Sequence, residues 1–256
     1  MAKPSRNAGN KWTRHVVLWK YSKLTGHVPE MKRMTMSSLI SMLERHGMVY
    51  VKPVSGSMGI GVMKVEKFGK RGIRYQSGKL RKSFPDIESG YASLLRASKG
   101  KAYMVQQGIH LAKYRKRPFD IRLMVQRKPR SGWTVTGWVG RLAHPRKIVT
   151  NGSQGGTIYP VRVLLPKSGS LIKRMKRVGI LCARRLHAQY PGVMQFGLDI
   201  AVDHKRRPWI LEANTKPDPC PFTKLPSRRM LKRIIRYGAA WGIRYRLHCV
   251  KARRGV

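Results

Sequence analysis

Residues 197–214, GLDIAVDHKRRPWILEAN, constrain this chain more than any other stretch: they read as a β-hairpin that sets two carboxylates against each other. The strands are GLDIAVD and PWILEAN, and the connection is the polar run His204, Lys205, Arg206 and Arg207. Pairing across that four-residue loop matches Asp203 with Pro208 and places Asp199 opposite Glu212. Side chains alternate along a strand, so Asn214 shares the Glu212 face, while Trp209, Leu211 and Ala213 are expected in a core. Opposed side chains lie about 4.5–5.5 Å apart at Cβ, and like charges so placed are destabilising. Two arrangements relieve that repulsion. A cation can sit between the carboxylates, since two carboxylates and an amide oxygen form an all-oxygen set of the kind Mg²⁺ accepts. Alternatively, each acid pairs with a Lys or Arg.

The second arrangement has ample supply, because the chain carries 55 Lys+Arg against 10 Asp+Glu, a formal charge of +45 over 256 residues. Four of the ten acids, Asp199, Asp203, Glu212 and Asp218, fall within twenty residues of one another. A hydrophobic content of 41%, with six Trp and ten Tyr, can bury a real core and argues against charge-driven disorder. The charge implies either an anionic partner, such as an acidic polymer or non-specific nucleic acid, or a solvated surface with no dedicated ligand. No zinc-finger, RNP or helix-turn-helix pattern is present, so base-specific reading is not expected. Cys182, Cys220 and Cys249 have no CxxC spacing and are expected as reduced thiols in a cytoplasmic protein. With no signal-peptide h-region and no apolar run of about 18 residues, a soluble chain without a membrane span is expected.

Along the chain, residues 1–30 read as an irregular basic arm. A helix follows from Thr35 or Ser37, burying Leu39, Ile40 and Leu43 and stopping at Gly47. MVYVKPV and VMKVEKF form a hairpin around the glycine-rich tip SGSMGIG. Signals are weak over residues 70–101 apart from a short helix at Ile87 to Ala97. AYMVQQGI, PFDIRLMVQR and TVTGWVGRLA are strands, and NGSQGGT is a second glycine-rich loop. Leu171, Met175, Val178, Cys182 and Leu186 recur at helical spacing, and a basic helix from about Ser227 into Arg246 closes the chain. The expected segments are a basic arm at 1–30, an α+β subdomain at 31–110, a second at 111–225 and the basic helix at 226–256.

Lys52 ends a strand immediately before the loop, whose Gly56, Gly59 and Gly61 allow positive φ and close approach of backbone amides to an anion. The loop lacks the GK[ST] of a Walker A loop, and its GxxGxG order differs from a kinase loop. VYVKPVSGSMGIG, YMVQQGI, FDIRLMVQ, GRLA, TNGSQGG, GLDIAVD and LEANTKP together resemble, in order and spacing, ATP-grasp enzymes, closest to the YheC/YheD-like group described as endospore coat-associated. The resemblance implies an α+β ATP-grasp fold in which two α+β subdomains clasp ATP. A full N-terminal pre-ATP-grasp domain is not expected, since only about fifty residues precede Lys52.

Carried over residue by residue, the resemblance makes Lys52 the lysine that reaches the nucleotide phosphates. Ser55, Gly56, Ser57, Gly59 and Gly61 become the loop that closes over them, and Gln106, Gln107, Gly108 and Ile109 the hinge that binds adenine. Many ATP-grasp enzymes have an acid where this chain has Gln106 and Gln107. Arg122 resembles the arginine that stabilises the transferred phosphoryl group, with Arg141 a second candidate and Asn151 lining the acceptor side. The alternative for Arg122 is an ion pair with Asp120, on the same strand face. Asp199, Glu212 and Asn214 match the Mg²⁺ ligands, with Mn²⁺ a substitute.

The implied activity is an ADP-forming carboxylate-amine or carboxylate-thiol ligase acting through an acyl phosphate, with a carboxylate and a nucleophile as acceptors. The competing readings are a phosphotransferase to a hydroxyl and a non-catalytic polyanion-binding or spore-coat-associated protein that keeps the fold. A large anionic acceptor, or a partner chain supplying the missing wall, would accommodate both the charge and the short N-terminal segment.

Overall fold

The computed structural model describes residues 8–56, 58–145, 147–148, 150, 155–247 and 252–255. Its helices are α1 (Lys11–Trp19), α2 (Met36–His46), α3 (Ile87–Ser98), α4 (Val161–Leu164), α5 (Gly169–Gln189) and α6 (Arg229–Ala239). The strands are β1 (Met31–Arg33), β2 (Met48–Pro53), β3 (Met63–Phe68), β4 (Gly72–Ser77), β5 (Leu80–Phe84), β6 (Tyr103–Gln107) and β7 (Lys113–Tyr114). They continue with β8 (Arg117–Arg127), β9 (Trp133–Leu142), β10 (Thr157–Tyr159), β11 (Gln195–Val202), β12 (Pro208–Asn214) and β13 (Arg253–Arg254). The chain divides into two compact units, one of Pro29–His110 with Pro145–Val149 and one of Met1–Val28, Leu111–His144 and Thr150–Val256.

The first unit is built on an antiparallel sheet in the order β1-β6-β2-β3-β4-β5 among the described residues. α2 starts at Thr35, whose side chain accepts from the Ser38 amide while the Ser38 hydroxyl accepts from the Thr35 amide, a capping box that satisfies two orphan donors. It ends at Gly47 with φ +68°. Leu39, Met42 and Leu43 of α2 and Leu94 of α3 are buried against Val49, Val51, Val65 and Val105 of the sheet. The weak segment 70–85 is β4 and β5, and β5 is exposed along most of its length, so its sequence LRKSF carries no hydrophobic alternation to read.

The second unit centres on the sheet β12-β11-β8-β9-β10-β13, with β7 paired to β8. α5 covers one face: its buried residues Leu171, Met175, Val178, Cys182 and Leu186 meet Ile121, Leu123, Val125, Phe196 and Leu198. A Cβ on Gly179 would come within 2.5 Å of Leu123 Cδ2, so a glycine permits the helix to lie this close to β8. α6 covers the other face through Leu231 and Ile234, which join Met124, Val139 and Phe222. Among the described residues no helix is long and apolar enough to cross a membrane.

Three expectations are corrected. Residues 11–19 form a helix where an irregular arm was expected; Asn10 caps it, and the buried Arg14, His15 and Leu18 make a one-sided stripe that the dense positive charge obscures. The last helix ends at Ala239, not near Arg246, because the chain turns at Gly242 (φ +71°) and the Ile243 amide donates back to the Gly238 carbonyl. Cys220 is disulfide-bonded, whereas Cys182 is a free thiol whose pKa burial pushes up. Three reduced thiols are therefore not what the fold contains, since spacing carries no information on which sulfurs a fold brings together.

Candidate functional site

β11 and β12 pair with Asp199 opposite Glu212, Leu198 opposite Ala213 and Gly197 opposite Asn214. The path to that register differs from the one expected. Val202, not Asp203, pairs with Pro208, so the connection is one residue longer, and Leu211 is the extra residue of a β-bulge that restores the opposition. Asp203 organises the turn: its carboxylate accepts from the Arg207 amide (2.8 Å), Arg207 Nε (2.9 Å) and Trp209 Nε1 (3.0 Å). The bulge also changes the buried face, since Ile210 and Ala213 enter the core while Leu211 is only half-buried.

The adjacent strand β8 sets Arg122 beside Asp199, and β9 sets Arg141 opposite Asp120. Arg122 Nε donates to Asp199 Oδ1 at 2.6 Å, and Arg141 Nη2 lies 3.0 Å from Asp199 Oδ2. Arg141 also grips Asp120 through both carboxylate oxygens, with Nε to Oδ1 at 2.8 Å. The expected alternative, Arg122 paired with Asp120, is therefore corrected: Arg141 holds Asp120, and Arg122 holds Asp199. Exposures of 3% for Asp120, 9% for Arg122, 2% for Arg141 and 8% for Asp199 make this a buried chain of alternating charge. Burial alone would raise the Asp199 pKa, but Arg122 and Arg141 outweigh it and hold it down to about 2. For Arg141, burial opposes the charge, yet Asp120 and Asp199 together raise its pKa above the ordinary value.

Glu212 is only partly buried and lies 3.4 Å from Lys11 Nζ. Arg14 Nε donates to the Ala213 carbonyl at 2.9 Å, so α1 supplies two cations beside β12. The repulsion between Asp199 and Glu212 is thus relieved by Arg122, Arg141 and Lys11. Among the described residues no group of three or more His, Cys, Asp or Glu side chains clusters as a metal site. The donor set Asp199, Glu212 and Asn214 nevertheless fits a hard cation in its chemistry, being two carboxylates and an amide. Lys11 and Arg14 were not singled out from the sequence, and Asp120 was named only as a partner for Arg122. The Asn10 cap signal could have placed the first two on a helix, but not beside β12, and the β8–β9 register gives Asp120 to Arg141.

In the other unit, Lys52 and Gln106 come together: Lys52 Nζ donates to Gln106 Oε1, and the ammonium lies 5.6 Å from the centre of the Tyr50 ring. The register Tyr50↔Gln106 and Lys52↔Met104 puts both side chains on one sheet face. Ser55 and Gly56 are exposed, and Gly56, Gly59 and Gly61 have φ of +123°, +73° and +75°. A Cβ on Gly61 would meet the Tyr103 hydroxyl at 2.7 Å. Met58, a non-glycine residue, holds φ +59°. In the hinge segment the Gln107 amide donates to Glu30 O and the Gly108 amide to Met48 O, while Ile109 is buried. Ser57 and Asn151 lie outside the described residues, as does most of the loop 151–156.

Solved structures of similar shape include the D-alanine-D-alanine ligase of Coxiella burnetii, with a TM-score of 0.53, 15% identity and coverage of 91% of this chain and 56% of that one. The N5-carboxyaminoimidazole synthase of Aspergillus clavatus, in complex with ADP, gives a TM-score of 0.55 at 10% identity, covering 98% and 57%. The ATP-grasp ligase PsnB gives 0.53 at 12% identity, covering 93% and 64%. The fold is ATP-grasp. A family model described as "YheC/D like ATP-grasp" matches residues 4–240, and the chain belongs to that family. Its curated relatives include the endospore coat-associated proteins YheD and YheC of Bacillus subtilis, each 25% identical. The YheD match covers 81% of this chain and 48% of the relative, the YheC match 83% and 61%. The chain thus spans about half to three-fifths of the length of these relatives.

Proposed function

We propose that the chain binds MgATP and acts as an ADP-forming ligase that joins a carboxylate to an amine or thiol. The carrying observation is the cross-strand row Glu212–Asp199–Arg122, buried at Asp199 and Arg122, with Arg141 bridging Asp199 to Asp120. Burying two arginines with two acids, Asp120 and Asp199, beside the partly buried Glu212 is costly to desolvate, and such clusters are more common at functional sites than in plain scaffolds. Lys52 binds the nucleotide phosphates, and the glycines of 55–61 bring backbone amides to them. Adenine takes its main-chain partners from Gln106 to Ile109, other than the Gln107 and Gly108 amides, which already serve Glu30 and Met48.

Asp199, Glu212 and Asn214 would hold Mg²⁺, which when bound offsets phosphate charge and orients the γ-phosphoryl. In its absence Arg122 and Arg141 keep Asp199 ionised and in place. An acceptor carboxylate oxygen attacks the γ-phosphorus as the bond to ADP breaks, and Arg122 and Arg141 stabilise the charge on the transferred group. The amine or thiol then attacks the acyl carbon and phosphate leaves; Asn151 is proposed on the acceptor side. The test is turnover of ATP with pooled carboxylates and amines, with hydroxylamine as trap. ADP and a hydroxamate are expected; AMP, or a phosphate ester on a hydroxyl, overturns the ligase reading.

A second reading has a specific basis: both oxygens of Asp199 are already engaged by arginines, as in a stable scaffold. A non-catalytic coat-associated protein of the same fold would bind no MgATP. Calorimetry with Glu212→Gln as control separates the two.

A further inference from the structure

α6 presents Arg229, Lys232, Arg233 and Arg236 on exposed positions, preceded by exposed Arg228. These residues stand three and four apart, so neighbouring cations repel along the helix surface. The helix opens on two arginines and has no acid in its first turn, where the neutral Ser227 hydroxyl accepts from the Arg229 amide, an arrangement that opposes the helix dipole. Among the described residues, the ion pairs of this unit engage Asp120, Asp199, Asp203 and Glu212, and none reaches α6. Asp218 caps the Cys220 amide instead. A self-repelling face with no ion-pair partner among the described residues suits an external counter-charge.

We infer that α6 is a docking surface for the phosphate backbone of double-stranded nucleic acid, bound without regard to sequence. From Arg229 to Arg236 the helix rises about 10.5 Å. Over that length a duplex carries about six phosphate charges, about three of them on the nearer strand, so four cations fall within the number the duplex offers. Guanidinium groups suit phosphate because they can donate two hydrogen bonds at once. The apolar side of α6 is committed to the core through Leu231 and Ile234, which leaves Ile235 as its exposed aliphatic side chain, too little to anchor in a lipid surface. Tyr237 is half-buried beneath Arg236, with the guanidinium 5.7 Å from the ring centre, so unpaired bases find no open platform for stacking.

The test is fluorescence anisotropy on two unrelated DNA duplexes of about 20 base pairs, titrated at several salt concentrations. The intact chain is compared with R229Q/K232Q/R233Q/R236Q and with a control, K173Q/R174Q/R177Q/R184Q, which removes four exposed charges from α5. The α6 variant is expected to flatten the slope of log K against log salt by about 3.6, and the control by less than about 1. Its urea midpoint should equal or exceed that of the intact chain, because repulsions are removed. Equal losses from both helices would reduce the effect to bulk charge and overturn the inference. So would a preference between the two duplexes, a lowered urea midpoint, or equally α6-dependent binding of single-stranded DNA or phosphatidylglycerol vesicles.

Discussion

The two units carry their candidate residues in opposite physical states. In one, Asp120, Arg141, Asp199 and Arg122 are buried, mutually hydrogen-bonded and fixed by three neighbouring strands. In the other, Lys52 rests on a neutral partner and the loop beside it is exposed, with three glycines in left-handed conformations. The first group is set before any ligand arrives, and its geometry is part of the stability of the fold. The second is exposed at its loop, and under the proposed function a bound nucleotide would order it. Mutations in the first should therefore register as stability, those in the second as affinity.

Arg141→Ala should make the largest difference. It removes the cation that pairs with Asp120 among the described residues and one of the two that compensate Asp199, and removing one partner of a buried pair typically costs about 3–5 kcal/mol. Urea unfolding checks this; a loss under about 1 kcal/mol would mean that water reaches the cluster. Next comes acid. The folded pKa of Asp199 is depressed to about 2 from an ordinary 3.8, so its contribution is full above pH 3.8 and fades as pH falls through 2. That contribution is about 2 kcal/mol, and Asp199→Asn should flatten the acid limb of stability against pH in this window.

The comparison inverts in the glycine-loop unit. Lys52→Ala should leave the urea midpoint nearly unchanged and weaken ATP binding at least about tenfold, or about 1.4 kcal/mol. Lys64→Ala, which removes a pair with Glu66 at 2.7 Å, should not weaken it. Equal losses measured by calorimetry would make the effect one of general charge. The smallest effect belongs to Met58, whose φ of +59° strains a side-chain-bearing residue. Met58→Gly should be neutral or stabilising by less than about 1 kcal/mol in thermal unfolding, because glycine adopts that conformation freely.

Strong periodicity made much of the fold readable. The capped α2, the long stripe of α5 and the apolar strands β2, β6, β8 and β9 follow from residue pattern alone. β4 and β5 did not, because β5 is exposed along most of its length and the pair alternates too weakly to signal a strand. In the candidate site, the Asp199–Glu212 opposition was legible through hairpin pairing, whereas the exchange of partners between Arg122 and Arg141 was not. Which arginine takes which acid depends on registers between β11, β8 and β9, and on the reach of long side chains across rows. The contribution of Lys11 depends on packing just over two hundred residues apart in sequence, where charge pattern gives no direction.

The bulge at Leu211 has a consequence for how related chains are to be compared. It lies between the turn and the opposed acids, so turn length and acid pairing can change independently. Loss of one turn residue together with Leu211 would keep Asp199 facing Glu212, whereas loss of either alone would slip the strand and turn one acid away. An alignment that gathers every gap in the turn would then hide the compensating residue and misplace Glu212 by one position. Relatives whose hairpins differ in length are better aligned outward from the two carboxylates, with the gap placed at the bulge.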